Sequence, residues 1–294
     1  MFSGNDIYFI PFEFKNNDLL KINLSHNKIS VIENLSDSVL DLSLNSNCIK
    51  EINNLPIQLK ILDISYNNIN KIKNLPDGLE ELWINNNNIF KLENLPINIK
   101  KLYIFNNSIT KIENLPDGLE LLNINNNFIK ELSILPKSLK ILHISNNNIS
   151  TIDFENDTLE ELYLSYNNIS YITKLPSNIN KLNIGNNMIK YINNLPNKLK
   201  ILHINNNYIK EFKNLPDSLE IINISNNLID ILTYIPPNIR LLTINKNRLS
   251  RLEKLPSTLQ VLNAENNKIY HIDKKYNFYI SLYGNYIKYD NCIS

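Results

Sequence analysis

A repeat of 20 residues runs through almost the whole chain and constrains its fold more than any other feature. One Asn recurs at every twentieth position, thirteen times without a break between residues 27 and 267. If this Asn is called position 7, apolar residues fall at positions 2, 4, 9, 12, 15 and 19 of most repeats, as in Leu82, Ile84 and Ile89. A fixed period of this kind predicts a stack of similar turns that share one continuous core.

The spacing inside the repeat predicts one short strand per turn. Side chains alternate between the two faces of a strand, so positions 2 and 4 face the core while positions 1, 3 and 5 face outward. The Asn at position 7 is predicted to be buried, because its amide can bond the backbone of adjacent turns. Pro96 and its equivalents favour an extended or polyproline-like return segment over a helix.

The phrase LPxxLxxLxIxxNxI resembles the leucine-rich repeat, specifically the short repeat of certain bacterial effector proteins. The resemblance covers nearly the whole chain, although Glu93 and its counterparts stand where those relatives often have a second Pro. It implies a horseshoe of the α/β-solenoid superclass that is nearly all-β here, with a parallel concave sheet and an extended or 3-10 convex side. It also implies a scaffold that binds a protein partner and performs no catalysis.

The repeat boundaries predict three segments. Residues 1–18 are aromatic without a clean repeat and are predicted to cap the core, residues 19–279 hold thirteen repeats, and residues 280–294 form a closing strand and a tail. Near Phe154 the Leu-Pro pair is absent, so the back of the array is predicted to change shape there.

The net charge and the start of the chain limit which partners and which cellular location the sequence predicts. The net charge of +1 over 294 residues gives no global attraction to nucleic acid or to a membrane. Position 0 is the residue directly before position 1. Between residues 60 and 160, Lys and Glu alternate at this position instead of forming a basic stripe, which argues against a nucleic-acid partner. The start of the chain resembles neither a signal peptide nor a membrane span, which predicts an intracellular, cytoplasmic protein, or one in the host cytoplasm if it is viral or effector-derived.

No constellation of residues points to catalysis or to a metal. His143 and His203 share position 3 but lie three repeats apart, roughly 14 Å at the spacing of neighbouring strands, which is too far to ligate one ion. The five Gly residues form no phosphate-binding motif. Cys48 and Cys292 lie at opposite ends of the array and are predicted to be reduced thiols. The sequence therefore predicts no metal, no cofactor and no enzymatic activity.

Position 3 is rich in aromatic and imidazole side chains in the middle repeats. Exposed Trp and Tyr are the usual anchors of protein interfaces, which favours recognition, although a Tyr- and Phe-rich drift in an AT-rich genome is the alternative. The predicted partner-binding residues are Tyr66, Trp83, Tyr103, Phe105, His143, Tyr163, Tyr166 and His203.

Position 1 is aliphatic in four successive repeats near the C-terminal end. These residues are Ile201, Ile221, Leu241 and Val261. Such an apolar strip contacts a partner or a second copy, unless the closing strand or tail covers it. The alternative function is therefore a structural protein that associates with itself, although the sequence favours a monomer over a homodimer.

Overall fold

The computed structural model describes the chain in two compact units, Met1–Ile149 and Ser150–Ser294. The residues it describes are 2–132, 134–154, 157–212, 214–252, 254–272 and 278–287. Within these ranges the one helix is a 3-10 helix, Phe12–Asn16, and every other regular element is a short strand. The prediction of a nearly all-β fold is confirmed.

The first unit contains seven strands of three residues each. They are β1 (Lys21–Asn23), β2 (Asp41–Ser43), β3 (Ile61–Asp63), β4 (Glu81–Trp83), β5 (Lys101–Tyr103), β6 (Leu121–Asn123) and β7 (Ile141–His143). Consecutive strands pair in parallel, and each residue lies opposite the residue 20 positions further along, as Leu62 does opposite Leu82. The sequence period is therefore also the register of the sheet.

The second unit continues the same pattern with strands on two sides of the turns. Its main parallel sheet has the order β9 (Glu161–Tyr163), β11 (Lys181–Asn183), β12 (Ile201–His203), β13 (Ile221–Asn223), β14 (Leu241–Thr243), β16 (Val261–Asn263) and β18 (Tyr279–Ser281). Two small parallel sheets join β8 (Thr151–Asp153) to β10 (Tyr171–Lys174) and β15 (Arg251–Leu252) to β17 (His271–Ile272).

Alternation along the strands sets the core of both units. In every main-sheet strand except β18 the middle residue is buried, and the residues on either side of it remain partly exposed. Position 4, which follows each strand, is buried in all thirteen repeats. Each Leu or Ile buried in this way stabilises the fold by about 1.5–3 kcal/mol relative to an exposed side chain. We call the opposite face, formed by positions 1, 3 and 5, the outer sheet face.

The Asn at position 7 joins each turn to the one before it. The Asn47 Nδ2 donates hydrogen bonds to the carbonyl oxygens of Leu24 and Leu44, each at 3.0 Å. Its Oδ1 accepts a hydrogen bond from the Ile29 N–H at 2.9 Å. All thirteen of these Asn residues are buried, as the sequence predicts. The amide satisfies backbone groups that a turn without hydrogen-bonded neighbours would leave unpaired in the core.

Each return segment that carries the Leu-Pro pair ends with a turn there, where the Pro76 carbonyl accepts a hydrogen bond from the Leu79 N–H at 3.1 Å. The segment near Phe154 differs, because there β8 pairs with β10 and the register shifts along the pair. Phe154 is 2% exposed and fills the core where the Leu-Pro pair is missing. This change in the return segment is the one that the sequence predicts.

Each end of the array has its own covering. Phe2 and Gly4 donate backbone hydrogen bonds to the carbonyls of Asn23 and Ser25, so the N-terminal segment covers part of the free edge beside β1. At the other end, β18 pairs with β16 at an offset of 18 residues. There Asn285 makes the position 7 contacts, since its Nδ2 donates to the carbonyls of Ala264 and Leu282, each at 2.9 Å. Residues 288–294, predicted as the tail, lie outside the described residues.

Candidate functional site

Two predicted anchors lie side by side on the outer sheet face of the first unit. Trp83 and Tyr103 are register partners on β4 and β5. Their rings are stacked, with centroids 3.6 Å apart and planes inclined by 11°. Both side chains are half-buried. One edge of the stack therefore packs against the sheet while the rest faces outward.

Two charged residues hold this stack in place. The Trp83 Nε1–H donates a hydrogen bond to Glu81 Oε1 at 2.8 Å, and Lys101 Nζ lies 3.2 Å from Glu81 Oε2. The hydrogen bond from Lys101 to Glu81 raises the pKa of Lys101 above its ordinary value. Burial, and then the Glu81 charge, raises the pKa of Tyr103. We call Glu81, Trp83, Lys101 and Tyr103 the aromatic cluster.

The residues just beyond the aromatic cluster carry unpaired polar atoms. Asn85 is 3% exposed, and its Oδ1 has no hydrogen-bond partner among the described residues. The Nδ2 of Asn86 is also buried without such a partner. Phe105 is half-buried two residues beyond Tyr103 on the next turn. Burial of a polar atom without a hydrogen-bond partner costs free energy.

Position 6 explains the unpaired amide of Asn86. In all thirteen repeats this position has a φ between 51° and 57°, and eight of the thirteen residues are Asn, which tolerates the left-handed conformation. Successive Asn side chains form a ladder, in which the Asn106 Nδ2 donates to Asn86 Oδ1 at 2.9 Å. The next acceptor in the ladder would be at position 66, where the residue is Tyr66. Tyr66 therefore ends the ladder and leaves Asn86 Nδ2 unpaired.

The second unit repeats the arrangement of the aromatic cluster in a smaller form. The Tyr163 hydroxyl donates to Glu161 Oε2 at 2.8 Å, and Lys181 Nζ lies 2.7 Å from Glu161 Oε1. Burial, and then the hydrogen bond to Glu161, raises the pKa of Tyr163 to about 12. Tyr166, at position 6, has a φ of 56° and is 58% exposed.

The imidazole groups do not join the Tyr163 arrangement directly. Asn183 lies between Tyr163 and His203, with each of them as its register partner on a neighbouring strand. Burial lowers the pKa of His203 below its ordinary value, so the neutral imidazole is favoured. His143 is half-buried at the end of β7 in the first unit.

The four aliphatic residues of the predicted strip lie in direct register on the second unit. Ile201 pairs with Ile221, Ile221 with Leu241, and Leu241 with Val261. Each is half-buried on the outer sheet face.

The charged residues at position 0 form exposed ion pairs, such as Lys100 with Glu80 at 2.7 Å in the first unit. Each exposed pair contributes about 0–1 kcal/mol to stability.

Comparison with known proteins agrees with this geometry. A family model described as Leucine Rich Repeat matches residues 138–156 and 158–182. The solved structure of YopM from Yersinia enterocolitica is 26% identical, with a TM-score of 0.81 over 92% of this chain and 66% of that chain. The chain has the leucine-rich repeat fold. Among curated protein sequences, none matches it.

Two further leucine-rich repeat structures are similar. YopM from Yersinia pestis, a leucine-rich effector protein, is 25% identical, with a TM-score of 0.78 over 91% of this chain and 84% of that one. A chain in the octameric complex of Latrophilin 3, Unc5D and FLRT2 is 22% identical, with a TM-score of 0.65 over 82% of this chain and 79% of that one, and this likeness concerns the fold alone. Leucine-rich repeats are generally non-enzymatic scaffolds for protein interaction. The present chain spans just under two thirds of the Y. enterocolitica YopM chain.

No three His, Cys, Asp or Glu residues are grouped so that they could hold a metal ion, as far as the described residues extend. Cys48 is an exposed free thiol, and Cys292 lies outside the described residues. In the same part of the chain, no helix is both long and apolar enough to cross a membrane.

The residues that support the aromatic side chains are not among the predicted partner-binding residues. Glu81 and Lys101 were assigned no role, although a pattern in the sequence marks them. Glu-Leu-aromatic occurs at residues 81–83 and again at 161–163, and in both places a Lys follows the Glu by 20 residues. Because 20 residues is the strand register, that spacing predicts an ion pair beside each aromatic ring.

Proposed function

We propose that this protein is a non-enzymatic scaffold whose outer sheet face binds a partner protein, with the aromatic cluster as its main anchor. The observation that carries the proposal is the Trp83–Tyr103 stack, fixed by the hydrogen bond from Trp83 to Glu81. Trp and Tyr are the residues most enriched at the energetic centres of protein interfaces.

Pre-organisation strengthens the case for the aromatic cluster. An interface side chain usually loses rotamer freedom on binding, at a cost of about 0.5–1.5 kcal/mol each. The Trp83 ring is already restrained by its neighbour Tyr103, by Glu81 and by the strand beneath it. When a partner packs on this surface, these side chains therefore lose little further conformational freedom.

Two strained tyrosines extend the proposed surface. Tyr66 and Tyr166 occupy left-handed backbone at φ of 53° and 56°, where a bulky side chain is unusual. They are 57% and 58% exposed, so core packing does not account for them. The left-handed backbone belongs to position 6 of every repeat, so the proposal rests on the exposure of the two rings and not on the backbone. In the first unit the proposed surface therefore includes Tyr66, Phe105 and His143 beside the aromatic cluster. In the second unit Tyr163, Tyr166 and His203 form a proposed surface of their own.

A protein partner fits this face better than a nucleic acid or a membrane does. Its polar groups are mixed in sign, since each Glu of the two aromatic arrangements is paired with a Lys. Nucleic acids and anionic membranes require an excess of cations. We also propose that the protein acts inside the cell and as a monomer.

The experiment is affinity capture and crosslinking with three forms of the full chain. The first is unsubstituted, the second carries Trp83→Ala and Tyr103→Ala, and the control carries Tyr191→Ala and Tyr208→Ala, which removes two exposed aromatics outside the proposed site. A photoreactive phenylalanine analogue at position 105 or at position 191 maps the contact.

A partner that is captured by the unsubstituted and control chains, crosslinks at 105 and is lost from the Trp83–Tyr103 variant supports the proposal. Equal capture by all three forms, or crosslinking at 191 alone, refutes the site. Urea unfolding of each form checks that the array remains folded.

A further inference from the structure

Cationic side chains outnumber carboxylates in the last turns of the second unit. The chain has only three Arg residues, and all of them, Arg240, Arg248 and Arg251, fall within a single repeat. Residues 237–272 carry six Lys and Arg but only two Glu, in a chain whose net charge is +1. Residues 171–210 carry six Lys and no Asp or Glu, so the cationic excess extends through much of this unit, and it is the Arg residues that are confined to its last turns.

An apolar surface occupies the outer sheet face of the same turns. Ile221, Leu241 and Val261 lie side by side on β13, β14 and β16, and Tyr279, 69% exposed, follows on β18. At the same position the preceding turns of this unit carry an ion pair, Glu161 with Lys181 at 2.7 Å. The face thus changes from paired charges to aliphatic side chains along one unit.

Exposed cations stand at both ends of the central strand of this surface. Arg240 comes immediately before β14, and Lys246 and Arg248 follow it at the turn. These three side chains and Lys268 on the next turn are exposed and form no ion pair with any residue that the structure describes. The nearest position 0 carboxylate, Glu220, is paired with Lys200 at 3.4 Å.

The residue at position 6 is a second distinguishing feature of this turn. Lys246 has a φ of 54° at position 6, which is Asn in eight of the thirteen repeats. Lys has no short amide to favour left-handed backbone, so a cation is present here in spite of the local conformational preference. Position 6 is left-handed in all thirteen repeats, so what is particular to this turn is the choice of Lys.

We propose that this face binds a segment of a partner protein in which aliphatic or aromatic side chains are bordered on both sides by Asp or Glu. The apolar side chains of the segment lie on Ile221, Leu241 and Val261. Its carboxylates meet Arg240 at one end of the strands and Lys246 and Arg248 at the other. Complementary charge of this kind selects the partner and sets its register, while the apolar contact supplies most of the affinity.

Other occupants fit this face less well. A nucleic acid places phosphates along its whole length and would hold them against the aliphatic centre, where no cation lies. A second copy of this chain, related by a two-fold axis, brings the same cations to the same face, so like charges meet. An uncharged apolar segment leaves the four exposed cations without partners.

The test uses fluorescein-labelled peptides with one Leu-rich centre and three kinds of flank, Glu, Lys or Ser. Fluorescence anisotropy with the full chain measures their affinity. We expect the Glu-flanked peptide to bind at least about ten-fold more tightly than either of the other two peptides. We also expect its binding to weaken as the salt concentration is raised. Equal binding of the Glu- and Ser-flanked peptides, or no binding of the Glu-flanked one, overturns the proposal.

Paired substitutions locate the binding surface. Two double variants should each bind the Glu-flanked peptide at least about ten-fold more weakly than the unsubstituted chain. The apolar variant carries Ile221→Ser and Leu241→Ser, and the charge variant carries Arg240→Gln and Arg248→Gln. Leu121→Ser with Ile141→Ser is the matched control, because these half-buried residues hold position 1 in the first unit. A control that loses as much affinity as the test variants refutes the site. The charge variant, which changes only exposed side chains, keeps the test valid if the apolar variant unfolds.

Two further measurements separate the remaining occupants. The first is competition by a single-stranded oligonucleotide. If the oligonucleotide displaces the peptide, and if peptide affinity does not depend on Leu241, the face is a polyanion site and the proposal is overturned. Light scattering that shows a dimer lost on Ile221→Ser would assign the face to self-association instead. Trp83→Ala should leave peptide binding unchanged, so this surface and the aromatic cluster succeed or fail separately.

Discussion

The indole of Trp83 lies parallel to the phenol ring of Tyr103, with 3.6 Å between ring centroids and 11° between planes. Trp83 is the single Trp of the chain, so its fluorescence reports on this contact alone. We expect Tyr103→Ala to shift the emission maximum to longer wavelength, because the indole gains contact with water. Emission spectra of the folded variant and of the control Tyr191→Ala test this. An unchanged maximum in Tyr103→Ala would mean that the two rings do not stack in solution.

The second prediction concerns Tyr66. Replacing it by Asn restores a residue suited to a φ of 53° and gives the unpaired Asn86 Nδ2 an acceptor. Removing left-handed strain and completing one hydrogen bond should raise the free energy of unfolding by about 1–2 kcal/mol. The urea midpoint of Tyr66→Asn measures this, and Tyr66→Phe, which keeps the strain and supplies no acceptor, is the control.

A stabilising effect of Tyr66→Asn has a functional counterpart. If Tyr66 contributes to recognition, the more stable variant should capture less partner, which is the usual exchange between stability and function at binding sites. A variant that is no more stable than Tyr66→Phe would show that Asn86 finds another partner in solution.

The third prediction tests the buried Asn column. Asn107 Nδ2 donates to the carbonyls of Ile84 and Ile104, and its Oδ1 accepts from the Ile89 N–H. Asn107→Ala leaves these buried groups unpaired and should lower the free energy of unfolding by about 2–4 kcal/mol. Asn88→Ala changes an exposed Asn on the preceding turn, directly before Ile89, and should have an effect of less than about 0.5 kcal/mol. Comparable losses in the two variants would refute a bonding role for position 7.

The fold was predictable because the repeat makes sequence period and strand register the same quantity. Thirteen repetitions of the Leu82, Ile84 and Asn87 pattern leave no competing period, so one unusual turn does not shift the others. Even the irregular segment at Phe154 was visible, because an aromatic residue replaces the Leu-Pro pair there.

The details of the candidate site were less accessible from sequence. The strand register alone makes Trp83 a neighbour of Tyr103. Whether two such rings stack or splay depends on side-chain rotamers and on hydrogen bonds such as the one from Trp83 to Glu81. Likewise, the left-handed backbone at Tyr66 follows from the turn that its neighbours impose, and Tyr itself does not favour it.

The fourth prediction concerns acid stability at His203. Burial lowers the pKa of His203 in the folded state below its ordinary value of 6.5. The contribution of the neutral imidazole to stability is therefore present above the unfolded pKa and is lost as the pH falls through the folded-state pKa. Between about pH 7 and about pH 5, His203→Gln should lose less stability than the unsubstituted chain. Urea midpoints across this range measure the difference, and parallel curves would contradict the assignment.

The fifth prediction concerns alkaline titration of Tyr163. Burial is the larger cause of its raised pKa of about 12, and the hydrogen bond to Glu161 adds to it. The pKa exceeds its ordinary value of 10.0, so the contribution of the neutral phenol to stability is fully present below that value and is lost as the pH rises through about 12. NMR of ring-labelled tyrosine follows the titration, with Tyr163→Phe to assign the resonance.

Substitution of Glu161 separates the two causes of this shift. Glu161→Gln removes the carboxylate but leaves the ring half-buried, so the pKa of Tyr163 should fall while staying above its ordinary value of 10.0. Glu211→Gln, at an exposed position in the same unit, is the control and should leave the titration unchanged. A fall all the way to the ordinary value would make Glu161 the dominant cause, and no fall would mean that the hydrogen bond is absent in solution.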